Sequence, residues 1–296
     1  MNRNVKEDFQ NIASLISPKA KLISADILPG GYSSDVYILN LVEGSIKKKV
    51  VLRSEGSPIS ENRISIEYHR INCLKGSNLP LPEAIHIDVS LKYFPKPFMV
   101  MSFIDGKSFE PDELDISWME KVSNLLNDIR SIEISNLPKL PIRIDPLDRL
   151  LDYLPDEKEW RKVREYLKSI GSSIFIGEYK FLHGDFWPGN ILWKNNEIIG
   201  LIDWEYAAIG DPMSDIAVAS LELRYKYGSK GAELFQTLCS NYIDIDSKRL
   251  SLWLIYVSAS TLRYIHEWRL PKERQALMIR EAKAAIHESF SFLQKG

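Results

Sequence analysis

The spacing of apolar residues changes along this chain, and each change marks an element. Val5, Phe9, Ile12, Ala13 and Ile16 recur at helical spacing and predict an N-terminal helix that ends at Ser17-Pro18. From Lys21 the period shortens: 21–28, 35–41 and 48–53 read as strands, separated by Pro29-Gly30-Gly31-Tyr32-Ser33-Ser34 and by Val42-Glu43-Gly44-Ser45. A helix follows over about 62–75, with Ile64, Tyr68, Ile71, Cys73 and Leu74 largely on its buried side and Gly76 as its stop. Strands over 84–89 and 98–104 complete a five-stranded antiparallel sheet. After Asp105-Gly106 the pattern turns mostly helical, with helices predicted over 116–130, 147–154, 156–170, 211–227, 232–242, 247–270 and 272–293. Two short apolar strands, 191–193 and 198–202, interrupt the helices and meet at an Asn195-Asn196 turn. The expected class is α+β in two lobes: a strand lobe over 1–104 and a helical lobe over 105–296. The junction of two such lobes is the expected place for a small ligand.

Composition narrows the partners. A formal net charge of −2 over 296 residues gives no electrostatic reason to expect nucleic acid or an anionic membrane. With only Cys73 and Cys239, neither a disulfide framework nor a zinc ribbon is suggested. The N-terminus, with Arg3, Lys6, Glu7 and Asp8, has no apolar run that could serve as a signal peptide, and a cytoplasmic location is expected. The apolar stretch 250–262 is flanked by Arg249 and Arg263 and is too short to span a bilayer, so it reads as a core helix.

Chemistry concentrates in His183-Gly184-Asp185-Phe186-Trp187-Pro188-Gly189-Asn190 and, one hairpin later, Ile202-Asp203-Trp204-Glu205. His183, Asp185 and Asn190 reproduce the His-x-Asp-x-x-x-x-Asn spacing of a kinase catalytic loop, and Asp203 ends the following strand as a metal-binding Asp would. In that role Asp185 orients an acceptor hydroxyl and accepts its proton, while Asn190 and Asp203 hold magnesium. His183 is read as structural, bonding the backbone near Asp203; as a metal ligand it has no second His or Cys at ligand spacing. Gly30, Gly31, Ser33 and Ser34 taken alone suit a hairpin turn, and only the downstream loop favours a segment folded over triphosphate oxygens. Arg53 ends the third strand where the kinase arrangement has a phosphate-binding Lys, and Glu67, fourteen residues on, is its natural partner; otherwise Glu67 is a surface helix charge. If the strand 98–104 runs out along the cleft, backbone groups of Ser102 and Ile104 could pair with an adenine edge, with Met101 and Val36 packing on its faces; otherwise Met101 is ordinary core.

With these residues in hand, the chain resembles the aminoglycoside phosphotransferase family, the small-molecule branch of the protein-kinase-like fold. The resemblance runs over roughly residues 20–225 and rests on Gly30-Gly31-Tyr32-Ser33-Ser34, on 101–106, on 183–190, on 202–205 and on Gly210-Asp211-Pro212-Met213-Ser214-Asp215-Ile216-Ala217. It implies Asp185 as the catalytic Asp, Asn190 and Asp203 as metal ligands, Ser102 and Ile104 as hinge residues, and Asp215 as the Asp that braces the catalytic loop. It also implies ATP or GTP as donor and Mg2+ as cofactor. Arg53 departs from the Lys usual in antibiotic kinases. Two features argue against a protein substrate: only eight residues separate Asp203 from Asp211, too few for an activation segment, and Gly184 replaces the Arg of His-Arg-Asp. The expected acceptor is a small hydroxyl compound: an antibiotic, a sugar derivative, or an amino alcohol such as choline or homoserine. Glu222, Glu233 and Glu267, with aromatics of the C-terminal helices, could receive it. The competing expectation is a nucleotide-binding pseudokinase that acts as a scaffold.

Overall fold

The computed structural model describes residues 5–28, 34–55, 63–137, 139–268 and 270–295. Gly30, Gly31 and Ser33 therefore lie outside the described residues. In chain order the elements are α1 (Val5–Ile16), β1 (Lys21–Leu28), β2 (Ser34–Glu43), β3 (Ile46–Glu55), α2 (Arg63–Cys73), β4 (Ala84–Asp88), β5 (Phe98–Ser102) and β6 (Lys107–Ser108). There follow α3 (Ile116–Arg130), β7 (Ile142–Arg143), α4 (Leu150–Tyr153), α5 (Arg161–Ile170), β8 (Lys180–Leu182), β9 (Ile191–Lys194), β10 (Glu197–Leu201) and β11 (Ala208–Gly210). Three helices close the chain: α6 (Met213–Cys239), α7 (Ser247–Tyr264) and α8 (Lys272–Leu293).

Packing divides the chain into two compact units. One comprises residues 1–107 together with 192–206, and the other comprises 108–191 and 207–296. The boundary expected at 104/105 thus falls at 107/108, and the hairpin 192–206 packs with the sheet although sequence order places it among the helices.

In the first unit the five strands pair antiparallel in the order β1-β2-β3-β5-β4. The apolar side of α1 covers one face: Phe9, Ile12 and Ala13 pack with Leu39, Leu41, Val50, Leu52, Phe98 and Val100. Removing such side chains from water is the main stabilising term of the unit. The second half of β3 changes character. Its first residues are exposed, but Leu52, Arg53, Ser54 and Glu55 are all buried, so this strand end carries polar groups into the interior. The β9–β10 hairpin turns at Asn195 and Asn196, both left-handed (φ 51° and 63°), as a two-residue primed turn requires and as Asn tolerates.

The second unit is mainly helical, and two apolar clusters can be traced among its described residues. Leu150, Trp160, Val163, Leu167, Ile255, Ala259, Ile286 and Phe290 form one, and Leu221, Tyr225, Ile265, Met278, Ala282 and Ala285 the other. Helix starts follow local capping chemistry: Asp115 accepts from Trp118 N at 3.1 Å, and Asp246 accepts from Lys248 N and Arg249 N. Compared with the expected spans, α5 starts at Arg161 rather than 156 and α7 ends at Tyr264 rather than 270. The helix expected over 147–154 shrinks to α4, because Arg149 is left-handed (φ 60°). The break expected between the helices over 211–227 and 232–242 is present: within α6, Gly228 (φ 71°, ψ −168°) is non-helical and divides the span into two helices. A small sheet of order β7-β11-β8 also forms, from strands too short to show a period.

Leu52 is fully buried between sheet and helix. Leu52→Ala is expected to cost about 2–5 kcal/mol, read as a lowered urea midpoint with an unchanged slope.

Candidate functional site

Each unit carries its own constellation. In the first, β3 brings Arg53 to the sheet end beside β2, where Val36 pairs with it in register. Its guanidinium is saturated. Nε donates to Ser34 Oγ (2.9 Å), Nη1 to Glu67 (2.9 Å) and to Asp203 Oδ1 (3.1 Å), and Nη2 to Asp203 Oδ1 (3.1 Å) and Glu205 Oε2 (3.2 Å). Burial alone would push this guanidinium's pKa down, but the carboxylates of Glu67, Asp203 and Glu205 outweigh it and raise the pKa, so the side chain stays charged. Glu67, almost wholly buried on α2, also accepts from Trp204 N (3.2 Å). A neighbouring cation, Arg70, donates to the carbonyls of Trp204 and Glu205.

Asp203 is the more accessible member of the set, with 29 % of its side chain exposed against 8 % for Arg53. Its backbone is left-handed (φ 69°), a strained state for most residues but one that Asp visits. Oδ1 takes both guanidinium nitrogens, and Oδ2 has no hydrogen-bond partner among the described residues. Near the end of the sheet, Met101 is buried and Ser102 N–H is engaged by Glu83 O (2.9 Å). The carbonyl of Ile104 accepts from Gly106 N (2.9 Å).

In the second unit β8 delivers the chain into the loop 183–190. Asp215, fully buried at the start of α6, accepts from His183 N (2.7 Å) and Gly184 N (2.9 Å). Burial raises the Asp215 pKa, while Arg143 and the two backbone N–H groups pull the other way. His183 is also fully buried, and its Nδ1 accepts from Asp185 N (3.3 Å). Asn190 Nδ2 donates to Asp185 O (2.9 Å) and to Asp185 Oδ2 (3.2 Å), which orients the carboxylate and leaves the amide oxygen of Asn190 as an acceptor. The Trp187 ring lies over Gly189, where an added Cβ would meet it at 2.1 Å.

Among the acceptor-side residues suggested by sequence, Glu222 stands out. Burial and the nearby Asp185 carboxylate push it up to about 8 against the opposing pull of Arg274. It is half-buried, so solvent still reaches a group that protein otherwise surrounds. Glu233 is exposed, Tyr225 is buried, and Trp253 is buried with its Nε1 donating to Asp211 Oδ2 (2.6 Å).

Among the described residues no three His, Cys, Asp or Glu side chains gather as a metal cluster. Magnesium does not need one, because it takes one or two protein oxygens and completes its shell with water and phosphate. Asp203 Oδ2 and the Asn190 amide oxygen are hard donors of the right kind. No helix is long and apolar enough to cross a membrane among the described residues.

Three residues of these networks were not singled out from sequence. Glu205 was legible only as part of Asp203-Trp204-Glu205, and nothing local marks Arg70 or Arg143 as donors to backbone carbonyls.

Comparison with known proteins bears on the family and the fold. The profile of the phosphotransferase enzyme family matches residues 25–253. Acyl-CoA dehydrogenase family member 10 of Mus musculus is 23% identical over 215 residues, which is 64% of this chain and 20% of that protein. The probable acyl-CoA dehydrogenase IBR3 of Arabidopsis thaliana is 24% identical over 239 residues, 69% of this chain and 29% of that protein. The chain thus spans less than a third of the length of either curated relative. Among solved structures, the macrolide 2'-phosphotransferase MphH of Brachybacterium faecium superposes with a TM-score of 0.65 at 16% identity, covering 95% of this chain and 98% of that one. A thermostable mutant of aminoglycoside phosphotransferase APH(4)-Ia, in a ternary complex with ADP and hygromycin B, gives 0.66 at 13% identity, covering 94% of this chain and 97% of that one. At these identities the likeness is one of fold.

Two outcomes follow from the charges. Arg53→Met strands the carboxylates it serves, and is expected to cost about 3–5 kcal/mol in chemical denaturation. Glu222 is held neutral in the folded chain well above its unfolded range, so its contribution to stability is present at pH 4 and fades as pH rises towards 8. Glu222→Gln should therefore be more stable than the parent at pH 9 and no more stable at pH 4, by thermal melts at both values.

Proposed function

We propose that this chain, which belongs to the phosphotransferase enzyme family, moves the γ-phosphoryl group of ATP or GTP to a hydroxyl of a small molecule. The observation that carries the reading is Asp185: a half-exposed carboxylate, oriented by Asn190, on a loop whose backbone is tied to a buried Asp. That is the arrangement a general base for phosphoryl transfer needs, because its position is set before the acceptor arrives.

In the reaction the acceptor oxygen bonds to the γ-phosphorus as the bond to the β–γ bridging oxygen breaks. The hydroxyl proton passes to the Asp185 carboxylate, and the nucleoside diphosphate departs with the electron pair. Asn190 holds Asp185 towards the acceptor. Arg53 fixes Asp203, lends its charge to the triphosphate side, and is itself held by Glu67. The segment that includes Gly30, Gly31, Ser33 and Ser34 would cover the triphosphate, while Ser102, Ile104, Met101 and Val36 would receive the base. Asn190 and Asp203 are the residues that would hold magnesium, which would supply positive charge for the phosphate oxygens. The ADP complex of the structural neighbour supports a nucleotide donor.

A small acceptor agrees with the eight-residue interval between Asp203 and Asp211. The acceptor panel should hold aminoglycosides, macrolides, amino alcohols and sugars. Because both curated relatives are named as acyl-CoA dehydrogenases, hydroxylated acyl compounds belong in it too. Turnover is measured as Mg2+-dependent ATP or GTP consumption against this panel. Asp185→Ala is expected to lower kcat by about 100- to 10,000-fold while nucleotide still binds. Full activity in that variant, or an absence of Mg2+-dependent nucleotide binding in the parent, overturns the reading.

A further inference from the structure

Gly184 stands where the protein-kinase loop carries Arg, yet a guanidinium reaches this loop from another strand. We propose that Arg143 of β7 is a positioning residue for the reaction: it pins the peptide unit that carries Asp185 and so fixes where the Asp185 carboxylate points. The inference rests on the reading of Asp185 as the proton acceptor.

The geometry is specific to one planar unit. The carbonyl of Gly184 and the N–H of Asp185 belong to the same peptide plane, which moves as a rigid piece. Its oxygen accepts from Arg143 Nη1 at 2.7 Å, and its nitrogen donates to His183 Nδ1 at 3.3 Å. The preceding N–H, of Gly184, is held by Asp215 at 2.9 Å. Gly184 itself is left-handed (φ 84°), a state that most side chains would strain. Without a partner for its carbonyl, this plane could rotate, and rotation swings the Cα–Cβ bond of Asp185 away from the acceptor.

Arg143 is in turn seated by a motif that sequence alone marks only as a family signature. β7 runs parallel to β11 with Arg143 opposite Gly210, and Asp211 N donates to Arg143 O (3.0 Å). A Cβ on Gly210 would lie 2.0 Å from that carbonyl oxygen, so only glycine lets the strands approach. The guanidinium then lies over the Trp253 ring, 5.5 Å from its centroid, and Trp253 is locked by its hydrogen bond to Asp211. Gly210 and Asp211 therefore place Arg143 through the backbone on one side and through Trp253 on the other. The buried Asp215 supplies the opposing charge.

The test uses the full chain with Arg143→Ala, Arg143→Lys and Gly210→Ala. Amide hydrogen exchange is followed at 183–186, with the amides of β2 and β3 as the internal reference. Arg143→Ala should speed exchange in the loop by about tenfold and leave the reference strands unchanged, with Arg143→Lys between it and the parent. Gly210→Ala, which keeps the guanidinium but displaces its strand, should show the same loop-confined effect. In parallel, Mg2+-dependent ATP hydrolysis and AMP-PNP binding are measured. Arg143→Ala should lose about 100-fold in kcat with little change in the KM for ATP, and added methylguanidinium should restore part of the loss. Unchanged loop exchange in Arg143→Ala overturns the proposal. So does a kcat equal to the parent's, or a loss that falls on KM. A parent that neither binds nor hydrolyses nucleotide defeats the phosphotransferase reading instead, and the exchange result still decides whether Arg143 holds the loop.

Discussion

A carboxylate taken out of water needs hydrogen bonds to every oxygen it can satisfy, and Asp215 finds them in the backbone of the loop it faces. Its two bonds, to His183 N and Gly184 N, turn a segment without helix or sheet ladder into a fixed one. The polar contacts of the loop 183–190 start from this one. β8 can end where it does because the next two N–H groups already have an acceptor. Asn190 can orient Asp185 because both ends of the loop are held. Asp211, four residues before Asp215, repeats the device: it accepts from Met213 N at the start of α6 and from Arg249 and Trp253 on α7.

The first unit solves a related problem with ions. Arg53, Glu67, Asp203 and Glu205 form a buried or half-buried set in which one guanidinium serves three carboxylates. Such a set is costly to desolvate and is tolerable only when each donor has an acceptor. Arg suits it better than Lys, because five N–H groups in a planar fork can meet Ser34 and three carboxylates at once, where an ammonium has three. An Arg at position 53 therefore sets how many partners one side chain can organise. Asp203 carries the strain of the arrangement in its left-handed backbone and keeps an accessible carboxylate in return.

Much of this was readable before folding was considered. The periods of apolar residues marked α1, the five strands, α3 and α8 nearly to their ends, since helix caps and turn residues lie within a few positions of the elements they delimit. The protein-kinase-like fold agrees with the superposed phosphotransferases. The pair Arg53–Glu67 was legible from strand-to-helix spacing, and the bond confirms the pairing. The short strands β7, β8 and β11 were not legible, because two or three residues have no period. The shortened α4 was also hidden, since a single left-handed residue, Arg149, decides it.

By itself, the sequence determined the elements and the order of chemical residues, because both are written in spacings of a few residues along the chain. Beyond the Arg53–Glu67 pair, only the tertiary structure decided which polar groups meet. Asp203 lies 150 residues from Arg53 and Gly184 lies 41 from Arg143, and no local preference encodes either contact. Each depends on the path of the backbone, on burial that makes an unpaired polar group expensive, and on a glycine at 210 whose missing side chain lets two strands touch.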